Sequence, residues 1–268
     1  GMRSIKMKRK ILSLLITVGL VTGLMITGCS SDKSDKKNAA ETKESASQNN
    51  DDYFVWYLDG TGLGGLTDEG KKQEKLVIPS NCERIMGGVV TSDSDVKEIS
   101  FEGTMSSDFE GQCLVYSNTS IEKVEYPEGM TRLAPSSLSR EDKLVSVVLP
   151  SSLTEISAYC INNCNALKDI NLEDTSVSTI GEYAFKNCDS LKEVRLPSTI
   201  KEIGEYAFPD VIEDVYIPKD AELSKYDYSN FPNIDGTVHI HLYKDSWADK
   251  NFDDWFQGDP HIVKVYED

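Results

Sequence analysis

The chain has 268 residues, with 28 basic and 45 acidic side chains and a formal net charge of −17. That excess of carboxylates argues against nucleic acid or an anionic lipid surface as a partner. The length is ample for one sizeable core, and three histidines leave little room for histidine chemistry.

Gly1 precedes Met2 and is set aside as an added residue. Arg3, Lys6, Lys8, Arg9 and Lys10 form a basic segment, followed by an apolar run from Ile11 to Ile26. The run has 16 residues, short of the roughly 20 needed to span a bilayer. It ends in Ile26-Thr27-Gly28-Cys29, which resembles a bacterial lipobox. That resemblance implies cleavage of residues 1–28 and a diacylglycerol on Cys29. Two acyl chains suffice for stable anchoring. The cleavage removes five basic and no acidic side chains, leaving 23 against 45, a charge of −22. Residues 29–52 are dominated by Ser, Asp, Lys, Asn, Ala, Glu and Gln, too polar to bury a core. They are expected to be a tether.

Tyr53-Phe54-Val55-Trp56-Tyr57-Leu58 reads as a strand, turned by Asp59-Gly60 toward a Gly-rich second strand. This hairpin, within 53–75, is expected to cap one end of the fold. Gly65 to Lys71 has the Gly-x4-Gly-Lys spacing of a phosphate-binding loop. Lys72 stands where a Mg²⁺-binding hydroxyl is needed, and Asp68 and Glu69 would repel phosphate. A turn stabilised by Thr67 is the expectation instead.

From residue 76 the chain repeats itself. Ile-Gly-Glu-Tyr-Ala-Phe occurs at 180–185 and again at 203–208. The last apolar residue of each short strand falls at Ile78, Phe101, Tyr126, Leu149, Leu172, Leu196, Ile217 and Ile240. The gaps are 23, 25, 23, 23, 24, 21 and 23 residues. Apolar residues recur two positions earlier, the period of a strand with one buried face. Five positions earlier stand Val96, Ile121, Leu144, Leu167, Leu191 and Ile212. Pro79, Pro127, Pro150, Pro197 and Pro218 follow the strands and supply no ladder donor, so they should end them. Turns of this length cannot bury an apolar face alone and must stack.

Residues 144–217 match closely the turn Leu-x-x-Ile-x-Leu-Pro-x-x-Leu-x-x-Ile-Gly-x-x-Ala-Phe-x-x-Cys. The pattern resembles the BspA-like, or Treponema-type, leucine-rich repeats of bacterial surface proteins. The resemblance runs over about 76–266 and drifts at Ala134-Pro135-Ser136-Ser137-Leu138. It implies a β-rich repeat fold: a right-handed solenoid over 76–242 with one parallel strand sheet, an irregular or short helical opposite face, and terminal caps. Residues 243–268 should form the second cap. There Asp245 or Ser246 begins a helix bearing Trp247, Phe252, Trp255 and Phe256, and Ile262, Val263 and Val265 close with a strand.

Cys164 and Cys188 occupy one repeat position in adjacent turns. Stacked turns about 4.8 Å apart would permit a disulfide, whereas the resemblance places small buried thiols there. His239 and His241 lie two apart on a strand and share a face, enough to start a Zn²⁺ or Cu²⁺ site. The sequence predicts no third ligand, so they are read as two surface histidines. No nucleophile elbow or His-Glu-x-x-His helix occurs. The chain is expected to be a non-enzyme that uses no metal and no cofactor.

What remains is a surface. The residues preceding each strand end point out of the sheet: Ser100, Glu125, Val148, Asn171, Arg195, Tyr216 and His239. Arg and Tyr are interface anchors, so Glu125, Asn171, Arg195, Tyr216 and His239 are the candidate partner-binding residues. The resemblance implies adhesion or host-surface interaction through a protein or glycan partner. The alternative is an envelope scaffold holding the bacterium's own proteins or wall polymer. A monomer, lipid-anchored outside the cytoplasm, is expected.

Overall fold

A strand of two to four residues cannot persist by itself, because it leaves its donors and acceptors unpaired. This chain solves the problem by laying each strand parallel to the same strand one turn away. The computed structural model describes residues 50–57, 60–85, 88–111, 114–115, 119–232 and 236–268. Cys29 and the segment 1–49 lie outside the described residues, so the lipobox and tether expectations fall there. Among the described residues, no helix is long and apolar enough to cross a membrane.

The main ladder joins Lys75–Ile78, Glu98–Phe101, Lys123–Glu125, Ser146–Val148 and Asp169–Ile170 in chain order. A second set continues it through Glu193–Arg195, Asp214–Tyr216, Val238–Tyr243 and Ile262–Glu267. The opposite side carries a further parallel ladder: Arg132–Leu133, Glu155–Ile156, Thr179–Ile180 and Glu202–Ile203. The structure is thus a parallel-strand β-solenoid with little helix. The second ladder is made by the Ile of each Ile-Gly pair and its equivalents, in strands of two residues. Strands this short carry no alternation that periodicity can detect.

The core is columnar. Val96, Ile121, Leu144, Leu167, Leu191 and Ile212 are all 0 % exposed. Phe185, Phe208 and Phe231 stack with centroids 5.4 and 5.1 Å apart, and Trp255 and Phe256 lie against the last ring. Trp255 Nε1 donates to Asn230 Oδ1 at 3.1 Å, so the buried indole is satisfied. Ser246 starts the Trp247–Phe256 helix, its hydroxyl accepting from Asp249 N–H. At the other end Phe54–Tyr57 pairs antiparallel with Gly62–Leu66, which runs parallel to Arg84–Ile85. Thr67 Oγ1 accepts from Gly70 N–H at 3.1 Å and closes the turn that follows.

The Gly of the Ile-Gly pair is needed for close approach. A Cβ on Gly181 would stand 2.4 Å from Ala158 N and 2.7 Å from Ala158 Cα. Gly181 N–H donates to Ile156 O at 2.8 Å, so neither turn can retreat without breaking the ladder. Gly181→Ala should therefore cost about 1–3 kcal/mol, measured as a lowered denaturation midpoint.

Cys82, Cys160, Cys164 and Cys188 are buried and free. Cys164 Sγ–H donates to Leu138 O at 2.9 Å and Cys188 Sγ–H to Ile161 O at 3.1 Å. The adjacent Cys188 and burial together push the Cys164 thiol up.

Glu141 is buried too. Its Oε2 accepts from Thr119 N–H at 3.0 Å and Thr119 Oγ1–H at 2.7 Å, while Oε1 has no partner. Burial raises its pKa from 4.5 to about 7, and the nearby Asp142 adds to this. A carboxyl raised on folding gives stability that is full below its unfolded value and lost as pH rises through its folded one. Stability should fall between about pH 4.5 and 7 on this account. Glu141→Gln should raise the melting temperature at pH 8 and leave it nearly unchanged at pH 4.5.

Candidate functional site

The main ladder sets two outward columns. One contains Val77, Ser100, Glu125 and Val148 at register-aligned positions, then Arg195, Tyr216 and His241. The other contains Lys75, Glu98, Lys123, Ser146 and Asp169, then Glu193, Asp214 and His239. Ion pairs run through both: Lys75 to Glu98 at 2.8 Å, Lys123 to Glu125 at 3.3 Å and Arg195 to Glu193 at 2.8 Å. Exposed pairs of this kind add little stability, so they mainly fix side-chain orientation.

The row expected to unite Arg195, Tyr216 and His239 needs correction. Tyr216 aligns with His241, and His239 aligns with Asp214 two residues earlier. The strand end in this turn is Leu242, 25 residues after Ile217. Val238, Ile240 and Leu242 are all buried. A shift of two residues preserves both faces of a strand, so alternation cannot fix the register.

With that register, three side chains form a stack. The Arg195 guanidinium lies over the Tyr216 ring at 3.7 Å, and Tyr216 stacks on His241 at 4.1 Å and 15°. Burial works against the Arg195 charge, and the Glu193 carboxylate together with Tyr216 and Glu173 outweighs it, so its pKa is raised. Two grooves flank the stack. One, of about 520 Å³, is lined by Val148, Asp169, Asn171, Glu173, Glu193 and Arg195 among others. The other, of about 280 Å³, is lined by Arg195, Tyr216, His241, Tyr243 and Glu267 among others. The larger groove lies where the main ladder parts. Among the described residues, no strand pair joins Asp169–Ile170 to Glu193–Arg195.

Residues 111–235 match six copies of the BspA type leucine rich repeat region. This repeat region belongs to the BspA type leucine rich repeat family. No curated protein matches the chain. Among solved structures, a leucine rich cell surface protein from Faecalibacterium prausnitzii A2-165 is 23 % identical with a TM-score of 0.44. It is matched over 66 % of this chain and 50 % of its own, so this chain spans about half its length. A leucine rich repeat protein of T. pallidum is 23 % identical, with a TM-score of 0.40 over 70 % of this chain and 83 % of that one. The pneumococcal vaccine antigen PcpA is 12 % identical, with a TM-score of 0.41 over 73 % and 68 %.

Within the BspA type repeats, the remaining candidate residues divide. Glu125 sits away from the stack, paired with Lys123. Asn171 is committed to the fold: its Oδ1 accepts from Leu149 N–H at 2.8 Å and its Nδ2–H donates to Leu149 O at 3.1 Å. Its amide thus replaces the main chain of a strand that ends at Ile170 and turns into the Leu172–Asp174 3-10 turn. Glu173 stands where Pro follows five of the other strands. The repeats also carry an aromatic ladder that the strand columns miss. Tyr159, Tyr183 and Tyr206 stack at 5.0 and 5.5 Å, each at a positive φ of 51–57°. The signal was the Tyr inside the repeated Ile-Gly-Glu-Tyr-Ala-Phe.

Asn171→Ala strips both partners from a part-buried peptide group. It should cost about 1–2 kcal/mol, read as a lower melting temperature.

Proposed function

We propose that this chain is a non-enzymatic surface lipoprotein that holds a protein or glycan partner on the outward face of its main ladder, in adhesion or host-surface interaction. The Arg195–Tyr216–His241 stack between two grooves carries this reading. Arg and Tyr are the residue types that dominate binding energy at interfaces. Here the guanidinium is held in place by Glu193 and by the ring, so little side-chain freedom remains to be lost on binding. Asp169, Glu173, Glu193 and Glu267 border the grooves. They favour a partner that presents basic groups or hydroxyl donors. A surface location is supported by the repeat family. Anchoring would come from diacylglycerol on Cys29.

The test sets the labelled chain against mucin and extracellular-matrix proteins on one side and the producing bacterium's purified envelope on the other. Salt-resistant binding to the first is expected. Arg195→Ala and Tyr216→Ala should each weaken that binding about tenfold or more while circular dichroism stays unchanged. Binding only to the envelope, or binding indifferent to both substitutions, would refute the reading.

A further inference from the structure

The main ladder ends in an edge that is long, flat and open. Its strands have two to four residues, except Val238–Tyr243 and Ile262–Glu267, which have six each. Ile262–Glu267 pairs with Val238–Tyr243 on one side, and among the described residues no strand pairs with its other side. Edge strands are ordinarily blunted by shortness, proline or a bulge. This one contains no proline, and its six residue pairs run without a break in register. Val263 is 40 % and Tyr266 55 % exposed. We infer that this edge pairs antiparallel with the same strand of a second copy, so that two chains form a two-fold symmetric dimer through one continuous sheet. This departs from the monomer expected from the sequence.

One hydrogen bond fixes which backbone groups face outward. Val238 N–H donates to His261 O at 2.8 Å. Bonding direction alternates along a parallel strand. Val263, Val265 and Glu267 therefore address Val238–Tyr243, while Lys264 and Tyr266 turn N–H and C=O to the open edge. A two-fold axis through Val265 sets Lys264 opposite Tyr266 of the second copy, and these outward groups then bond reciprocally. The same axis sets Val265 opposite itself and Val263 opposite Glu267, so no like charges meet. An axis through Lys264 would set two ammonium groups face to face, which disfavours that register. The strand holds one Lys and one Glu, so the edge is neutral although each chain carries −17. Charges elsewhere on the two copies are screened beyond about 8 Å at physiological ionic strength. The strand is also held in place from its inner face. Lys264 Nζ donates to Asp249 Oδ1 at 2.9 Å, and the Tyr266 hydroxyl donates to the same oxygen at 2.8 Å. Little ordering is left for pairing to cost. The axis runs through the plane of the joined sheet, so both Arg195–Tyr216–His241 stacks lie on one face.

Sedimentation equilibrium of the purified full-length chain tests this, with circular dichroism to confirm that each variant is folded. A dimer is expected for the parent chain. Val265→Lys and Val265→Glu should each raise its dissociation constant about tenfold or more, because like charges then meet on the axis. Mixing the two variants should restore the dimer, which association through any other surface cannot explain. Val265→Cys should give a disulfide-linked dimer on mild oxidation, since residues opposed in this way have Cα atoms about 4.5 Å apart. Val263→Cys, opposite Glu267, should add no cross-link beyond the parent chain. A monomeric parent chain, a dimer indifferent to both charged variants, or a Val265→Cys chain that does not cross-link would overturn the proposal.

Discussion

Everything in this molecule depends on one constraint: each turn must satisfy its backbone and bury its apolar residues against the turn beside it. The inward column from Val96 to Ile212 has no exposed member. The main-chain donors between turns are met at regular spacing, as in Lys97 to Glu74, Glu122 to Lys97 and Val145 to Glu122. Because each contact involves only the neighbouring turn, stability is a sum of local terms. A strained residue can persist if its neighbours hold it. Tyr159, Tyr183 and Tyr206 occupy left-handed backbone that costs a side chain about 1–2 kcal/mol. Stacking in successive turns, together with donors such as Tyr183 N–H to Glu205 O, offsets part of that cost.

The same constraint explains where the surface becomes distinctive. The ladder on one side stays paired from Arg132 to Ile203, while the main ladder parts after Ile170. At that point Asn171 supplies through its side chain the bonds that a longer strand would supply through its main chain. The opening creates the larger groove and frames Arg195. From Arg195 onward the outward column changes character, from small or singly charged groups to a stacked cation, phenol and imidazole. Local departure from the repeat thus places on this face a side-chain stack that a perfect repeat would lack.

The sequence by itself determined the solenoid. Recurrence of Leu or Ile at a fixed spacing, Pro after the strands and the doubled Ile-Gly-Glu-Tyr-Ala-Phe each encode a local event that stacking repeats. It also determined that Arg195 and Tyr216 are neighbours, because three consecutive strand positions matched without ambiguity. Only the tertiary structure decided which histidine joins them. Alternation over Val238, Ile240 and Leu242 fits two registers equally well, and the pairing of Asp214 with His239 is the one adopted. Likewise, Asn171 looked free because its partner, Leu149, lies 22 residues away. The contact of Asp214 with His239 and His241 was hidden for the same reason: it forms only when two strands are laid side by side. Periodicity specifies faces, while register and diagonal contacts between turns exist only in the folded chain.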